Sequence, residues 1–541
     1  MVRPEGNYMP NCNVLLVYPR FNAGSFWNYG ATCELVGAKY PAPPLGLITV
    51  AAMLPETWNV RLVDRNTGPL SDEDLDWADM IMTGGMLPQQ ADCLAIIKMG
   101  QAKNVPVAVG GPDATSSPEV YEAADFLVLG EAEGILSTFV DAWNEGARTG
   151  RFTAEKFKAD VTSSPIPRFD LLKFDDYVQI GVQYSRGCPF TCEFCDIIEL
   201  YGRVPRTKTN KQMLAELDRL HELGYRGHVD FVDDNLIGNK RAVKGFLPDL
   251  ADWQNSRNHP FEMSTEASLN LADDEALLTM MQKAGFFSVF IGIESPDPEV
   301  LIATRKKQNT RRDIAKSVHK IYDAGIFVLA GFIVGFDEEN DRVAEEISAL
   351  IEEAAIPVAM TGLLYALPNT QLTRRLAKEG RLHADFATDD PDTEHGDQCT
   401  AGLNFTTVRP REQILADFKS VIERVYGPEA YFGRVQKVAS MLNMSGANGS
   451  ILGAGFFHDL RMFGRLIYAM TFKETTYRLP FWKTLIKTAF TNFRAIKPVM
   501  MMLALYVHLG PFSRFVTAQI DKQIAEIEKG HWEQPAVVAA E

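Results

Sequence analysis

The sequence predicts an α/β protein in three parts: a doubly wound parallel-sheet domain, a partial (β/α)6 barrel and a mainly helical C-terminal domain. Three observations carry that expectation. Strand-like apolar runs alternate with amphipathic segments in two separate series, from Asn13 to about Gly146 and from Ile180 to Pro368. The polar, Pro-containing stretch "VTSSPIPRFDLLKF" (161–174) divides them, as a linker does. From about Gly402 the alternation stops and helical patterns take over. The expected units are 1–150, a linker at 151–178, the barrel at 179–400 and the helical domain at 401–541. A chain of 541 residues, 46% of them hydrophobic, is long enough for about three cores of ordinary size.

In the first series the runs are "NVLLVYP", "NVRLVD", "MIMTGG", "PVAVGG" and "FLVLGE". Continuous apolar runs closed by Gly, Pro or Asp suit strands covered on both faces, hence a Rossmann-like open sheet. Ligands of such sheets bind over the carboxyl ends of the strands. Gly84-Gly85, Gly110-Gly111-Pro112 and Gly130-Glu131 fall there, although glycines also serve tight strand exits.

The second series offers "IGVQY" (180–184), "HVDFVDD" (228–234), "FEMSTEAS" (261–268), "FSVFIGIES" (287–295), "FVLAGFIVGF" (327–336) and "VAMTGLLYALP" (358–368). Helical patterns such as "NKQMLAELDRLHELG" and "EALLTMMQKAG" lie between them and close near Gly. Six βα units make an incomplete barrel, with chemistry expected at the strand C-termini.

Bulk properties exclude several classes. A net charge of −16 argues against a general nucleic-acid binder, which needs basic surface to displace counterions. The N-terminal stretch has no apolar run suited to a signal peptide, and no segment reaches a membrane span, so a cytoplasmic chain is expected. Cys12, Cys33, Cys93 and Cys399 read as free, buried thiols. One region departs from the rest: between Gly455 and Phe515 stand nine Lys and Arg against two acidic residues, with Trp482 and "PVMMMLALYVHLGPF". It reads either as an ordinary helical domain or as a peripheral contact with the inner face of the membrane.

The remaining cysteines, Cys188, Cys192 and Cys195, crowd into "YSRGCPFTCEFCDIIELYGR" directly after the first barrel strand. A disulfide would leave one thiol odd, and structural zinc would want a fourth Cys or His, which the segment lacks. Soft thiolates suit iron, and three of them suggest a [4Fe-4S] cluster with one iron open to an outside ligand.

At these residues the chain resembles the radical S-adenosylmethionine superfamily, whose signature is CxxxCxxC with an aromatic residue, here Phe194, before the last cysteine. The resemblance implies that S-adenosylmethionine chelates the open iron and is cleaved by one electron to a 5′-deoxyadenosyl radical, the protein positioning it and excluding water. It further implies that Asp233, Asp234 or Asn235 meets the methionyl amino group. The same comparison gives Glu294 to the ribose and the Gly331-x-Ile333-x-Gly335 strand to the adenine. On the residues alone, Glu294 could instead serve the "SPDPEV" turn and the glycines could be packing points.

With "YPAPPLGLITVAAMLP" (40–55), "GGPDATSSPEVY" (110–121) and "LGEAEG" (129–134), the first domain resembles the cobalamin-binding domain that precedes such barrels. No Asp-x-His-x-x-Gly segment is present and no histidine precedes His221, so the resemblance implies cobalamin with no histidine on its lower face from this domain. Met86, Leu87 and Gln89, with Gly110, Gly111, Pro112, Gly130 and Glu131, are the expected cobalamin contacts. The subclass most similar is the class B methyltransferase group that includes the hopanoid C-2 methylase. That implies a methyl group placed on an unactivated carbon of a small-molecule or lipid substrate, with an electron donor such as flavodoxin or ferredoxin. Ring formation, oxidation or carbon–carbon coupling with the same cofactors, and a non-enzymatic cluster and cobalamin sensor, are the rival readings.

Overall fold

The computed structural model describes residues 11–22, 24–384, 399–400, 402–446, 456–473 and 475–538. The stretch read for a signal peptide begins in residues 1–10, and the basic stretch 455–515 includes residues 455 and 474; all of these lie outside the described residues. Each apolar run of the first series forms a strand: β1 (Asn13–Tyr18), β2 (Asn59–Asp64), β3 (Met80–Gly84), β4 (Val107–Gly110) and β5 (Phe126–Leu129). A sixth, β6 (Gly150–Thr153), joins from the stretch read as linker. Its alternating half-buried and exposed residues mark an edge strand, which carries too little apolar character to stand out in the sequence. All pairings are parallel, in the order β2-β1-β3-β4-β5-β6, and the order reverses between β1 and β3. Two apolar layers cover the sheet, one around Val14, Leu16, Phe126 and Phe139, the other around Leu15, Val17, Ile96 and Val109.

The second sheet holds β7 (Gln179–Val182), β10 (Gly227–Phe231), β11 (Phe261–Glu266), β12 (Phe286–Glu294), β13 (Phe327–Val334) and β14 (Val358–Leu363) in consecutive parallel order. β7 and β14 do not pair, so the barrel is open. A short antiparallel ribbon, β8 (Ser185–Arg186) with β9 (Arg206–Thr207), follows β7 and encloses the cysteine loop. The strands stop one to five residues before the apolar runs do. The flanking helices follow from local chemistry. Thr209 and Gln212 form a capping box at one N-terminus, and Gly285, at φ 97°, ends the helix Glu275–Ala284 in the left-handed region.

Helices Arg411–Tyr426, Pro428–Met441, Arg478–Thr491 and Ile496–Glu528 make up most of the C-terminal domain. Arg434, fully buried, docks it on the barrel by donating to the Ile356 carbonyl and pairing with Glu352, while its bond to Val425 O stays within the helical domain. The Tyr426 hydroxyl donates to Ala359 O on β14 at 2.8 Å. One segment of the first domain touches both neighbours: Trp27 packs on Phe290 of β12 at 5.5 Å between centroids, and Phe26 on Phe512 of the long helix at 6.1 Å.

Candidate functional site

Gly187, at φ 97°, turns the chain from β8 into the cysteine loop; a Cβ there would meet Gly202 O at 2.9 Å. The Cys188 N–H donates to that same carbonyl, which closes the loop at its base. All three thiols are free, Cys192 buried and the others half-buried. Amide donors reach two of them, Asn235 Nδ2 at 3.9 Å from Cys188 Sγ and Gln308 Nε2 at 3.6 Å from Cys192 Sγ. Burial and the neighbouring Asp196 push the Cys195 thiol well up, so ligation there must displace a proton.

The residues after β10 divide their labour. Asp233 is fully buried and takes both the Tyr184 N–H and the Ser185 N–H and hydroxyl, so it fixes the strand exit and is not free for a ligand; the sequence expectation for it is corrected. Asp234 accepts from the Gly187 N–H at 2.8 Å through one oxygen. Burial, with Asp233 and Asp196 close by, lifts Asp234 to about 7. Asn235 joins Cys188 to Ser268, its Nδ2 lying 3.1 Å from Ser268 Oγ.

At the end of β12, Glu294 stands at φ 69° next to a bulge and pairs with Lys306 at 2.6 Å. A Cβ on Gly292 would lie 2.3 Å from Glu294 Oε1 and 2.8 Å from Lys306 Nζ, so a larger residue here would push that ion pair aside. Burial works against the Lys306 charge, but Glu294, Cys192 and Cys195 hold its pKa above the ordinary value. Lys306 also sits over the Phe194 ring, 5.8 Å from its centroid, and Phe194 packs on Phe336. On β13 the two glycines differ. Gly331 gives its space to Phe290, inside the barrel, whereas a Cβ on Gly335 would meet Leu403 at 2.6 Å and its N–H is bound to Glu339. Gly335 is therefore a packing point against the helical domain, a second correction. Ile333 between them is half-buried.

Sequence reasoning missed the interior wall. Strand register sets Glu266 beside Phe290; Trp27 of the first domain packs on Phe290, and Leu45 and Val232 both lie against Gly181. Glu266 is reached by solvent yet walled by protein, and burial plus Asp230, Asp234 and Asp233 raises it to about 8. Deeper in, the Ser264 hydroxyl links Asp230 to His228, 2.6 Å from His228 Nε2. Burial and Lys497 hold that imidazole down at about 4. The period-2 pattern of "FEMSTEAS" already put Glu262, Ser264 and Glu266 on one face; the signal was there, but charged residues facing into a barrel look like residues facing out.

On the first sheet the carboxyl edge is a bare ledge on which Met86, Gly111 and Gly130 are exposed. Leu87, Gly110 and Pro112 are half-buried beside it. A Cβ at Gly84 would lie 2.4 Å from Gly110 O, and one at Gly110 would lie 2.8 Å from Val128 O, so these glycines let adjacent strand ends close up. Two expected contacts are corrected. Gln89 is buried, accepting from the Met86 N–H and donating to Pro19 O. Glu131 is buried and paired with Arg186 at 3.2 Å and Arg206 at 2.9 Å. Glu133 joins the same cluster at 2.7 Å from Arg186, and although burial opposes it, Arg186 and Ser164 draw it down to about 2.

The donor set fits an iron–sulfur cluster. Among the described residues no three His, Cys, Asp or Glu groups converge as ligands of one metal ion, whereas a cluster sets each thiolate on a different iron. Beside the loop, Gln308 Oε1 and Asn309 Oδ1 are buried acceptors without a donor, suited to an ammonium or hydroxyl. The first-sheet ledge fits a broad, flat group held by shape, with no imidazole to ligate it.

Residues 182–351 match the radical SAM superfamily, and residues 370–522 match a domain of unknown function, DUF4070. An uncharacterised methyltransferase of Synechocystis is 48% identical over 78% of this chain and 77% of its own. The hopanoid C-2 methylase of Rhodopseudomonas palustris is 34% identical over 93% of both chains. The solved structure of the cobalamin-dependent S-adenosylmethionine radical enzyme OxsB, 15% identical, shares the fold with a TM-score of 0.58, covering 97% of this chain and 82% of that one.

Proposed function

This chain belongs to the cobalamin-binding radical S-adenosylmethionine methylases, and on that premise we propose that it methylates an unactivated carbon of an apolar, lipid-like substrate. One observation supports the substrate class above the others: the likeness to the hopanoid C-2 methylase runs through 93% of both chains, the helical domain included. The face between the first domain and the barrel agrees with it, since Trp27 and Phe290, and Leu45 and Val232 beside Gly181, are apolar there.

In this reading Cys188, Cys192 and Cys195 hold the cluster. When bound, the cluster supplies the electron that cleaves S-adenosylmethionine, and the cobalamin carries the methyl group. The amides of Asn235 and Gln308 donate to the sulfurs and steady their charge. Asp234, with Gln308 Oε1 and Asn309 Oδ1, receives the methionyl ammonium. Glu294 accepts from the ribose hydroxyls while its ion pair with Lys306 keeps it aimed. Phe194 and the Trp27–Phe290 contact keep water from the reacting carbon. Met86, Leu87, Gly110, Gly111, Pro112 and Gly130 border the cobalamin. A small flavoprotein or ferredoxin serves as electron donor.

The test is anaerobic reconstitution with iron and sulfide, followed by S-adenosylmethionine, methylcobalamin, reductant and a polycyclic triterpene. Deoxyadenosine together with S-adenosylhomocysteine and a lipid heavier by one CH2 is expected. Deoxyadenosine without S-adenosylhomocysteine would point to ring formation, oxidation or coupling instead. Lipids from cells with and without the gene give the same comparison in vivo.

A further inference from the structure

We propose that the outer face of helix Arg478–Thr491, with the turns on either side of it, docks on an anionic phospholipid bilayer. An ordinary surface helix buries its apolar stripe and shows water its polar one. This helix buries Phe481, Thr484, Leu485 and Thr488 and shows solvent Leu479, Lys483, Ile486, Lys487 and Phe490. Those five recur at helical spacing on one side and hold only apolar and cationic groups. Phe490 is 88% exposed and Leu479 80%, and Phe472 and Phe493, on the flanking turns, are 68% and 61%. Single exposed apolar residues are ordinary; a cluster of this kind rimmed by cations marks an interaction site.

Charge selects the partner. In a chain of net charge −16, Lys473, Arg478, Lys483 and Arg494 stand around this cluster, and none of them pairs with a carboxylate among the described residues. Aromatic and aliphatic tips with flanking cations match the boundary between acyl chains and lipid phosphates, where lysine stems lie along the apolar layer. The helix cannot roll to hide this face. Gln436 Nε2 donates to Thr484 Oγ1 at 2.9 Å, and Asn492 Nδ2 donates to the Ala439 and Leu442 carbonyls at 3.0 and 2.8 Å. The chain lies on the bilayer rather than crossing it. The one helix among the described residues long and apolar enough to span, Phe493–Glu528, has 56% of its apolar stretch inside the fold, where Met502 O accepts from Tyr431.

This inference rests on the patch and not on the lipid reading of the substrate. Full-length chain is floated with vesicles of phosphatidylcholine alone or of phosphatidylcholine with one-third phosphatidylglycerol, at low and high salt. Binding is expected to anionic vesicles, several-fold weaker to neutral ones and weakened by salt. Leu479→Ser with Phe490→Ser should weaken it at least about tenfold. Lys483→Gln with Lys487→Gln should remove most of the preference for the anionic lipid. Far-UV circular dichroism and the reconstituted cluster absorbance, unchanged in both variants, show that the fold is intact. Flotation that ignores lipid charge, or survives the Ser variant, overturns the proposal. So does a dimer that the Ser variant converts to monomer, since the face would then belong to a second copy. Methyl transfer to a soluble substrate with binding intact would sink the lipid reading alone.

Discussion

The two parallel sheets end in opposite ways. Over the barrel, the carboxyl edge crowds unsatisfied or strained polar groups: Asp234, Glu266, Glu294 at φ 69°, and the donorless Gln308 and Asn309 oxygens. On the first sheet Gln89 and Glu131 near the edge are satisfied by protein, and Met86, Gly111 and Gly130 face outward. An edge that keeps its polar groups partly unmet awaits a ligand recognised by charge and direction. An edge whose buried polar groups already pair with protein awaits a ligand recognised by area.

The contrast can be broken most sharply at the barrel. Cys192→Ala should abolish the cluster absorbance and cut deoxyadenosine formation by at least about 1,000-fold, while the first sheet stays folded by near-ultraviolet circular dichroism. Next in size, Gly110→Val must displace Val128 O, and should cost about 3 kcal/mol of stability and the binding of cobalamin, leaving iron content unchanged; a variant that keeps both refutes the close-packing role. Smaller is the bridge between the sheets. Arg186→Ala leaves Glu131 and Glu133 buried with one partner fewer, and should lower stability by about 2–3 kcal/mol, measured by urea denaturation. Glu133 adds a pH signature. Its folded pKa, about 2, lies below the unfolded value of about 4.5, so its contribution is full above pH 4.5 and fades as pH falls toward 2. Glu133→Gln should flatten melting temperature over that window.

The smallest effect sits on Glu266. Its folded pKa, about 8, lies above the unfolded value, so wild-type stability should decline as pH rises from about 4.5 through 8. Glu266→Gln, which mimics the protonated acid, should match wild type at pH 5 and melt higher at pH 9. Equal melting curves at both pH values would mean that the carboxyl is solvated like any surface acid.

Much of the fold was legible because buried parallel strands are apolar without interruption, and all eleven such runs became strands. β6 escaped because half of its residues face water. The cysteine loop was legible because three soft ligands in eight residues have few other uses. For Asp233, Gln89 and Glu131 residue type and position near a strand end do not say which way a side chain turns, and for Gly335 they do not say which distant residue packs on it. Lys306 and Gln308 could not be found from sequence at all, since they reach the cysteines from more than 100 residues away.

Arg186, held by Glu131 and Glu133, lies two residues before Cys188. The first domain is thus part of the scaffold that sets where the cysteine loop stands. Such a joint limits the modular traffic by which domains are exchanged between proteins. A different N-terminal domain would leave Arg186 without these carboxylates unless it brought two acidic residues to the same place.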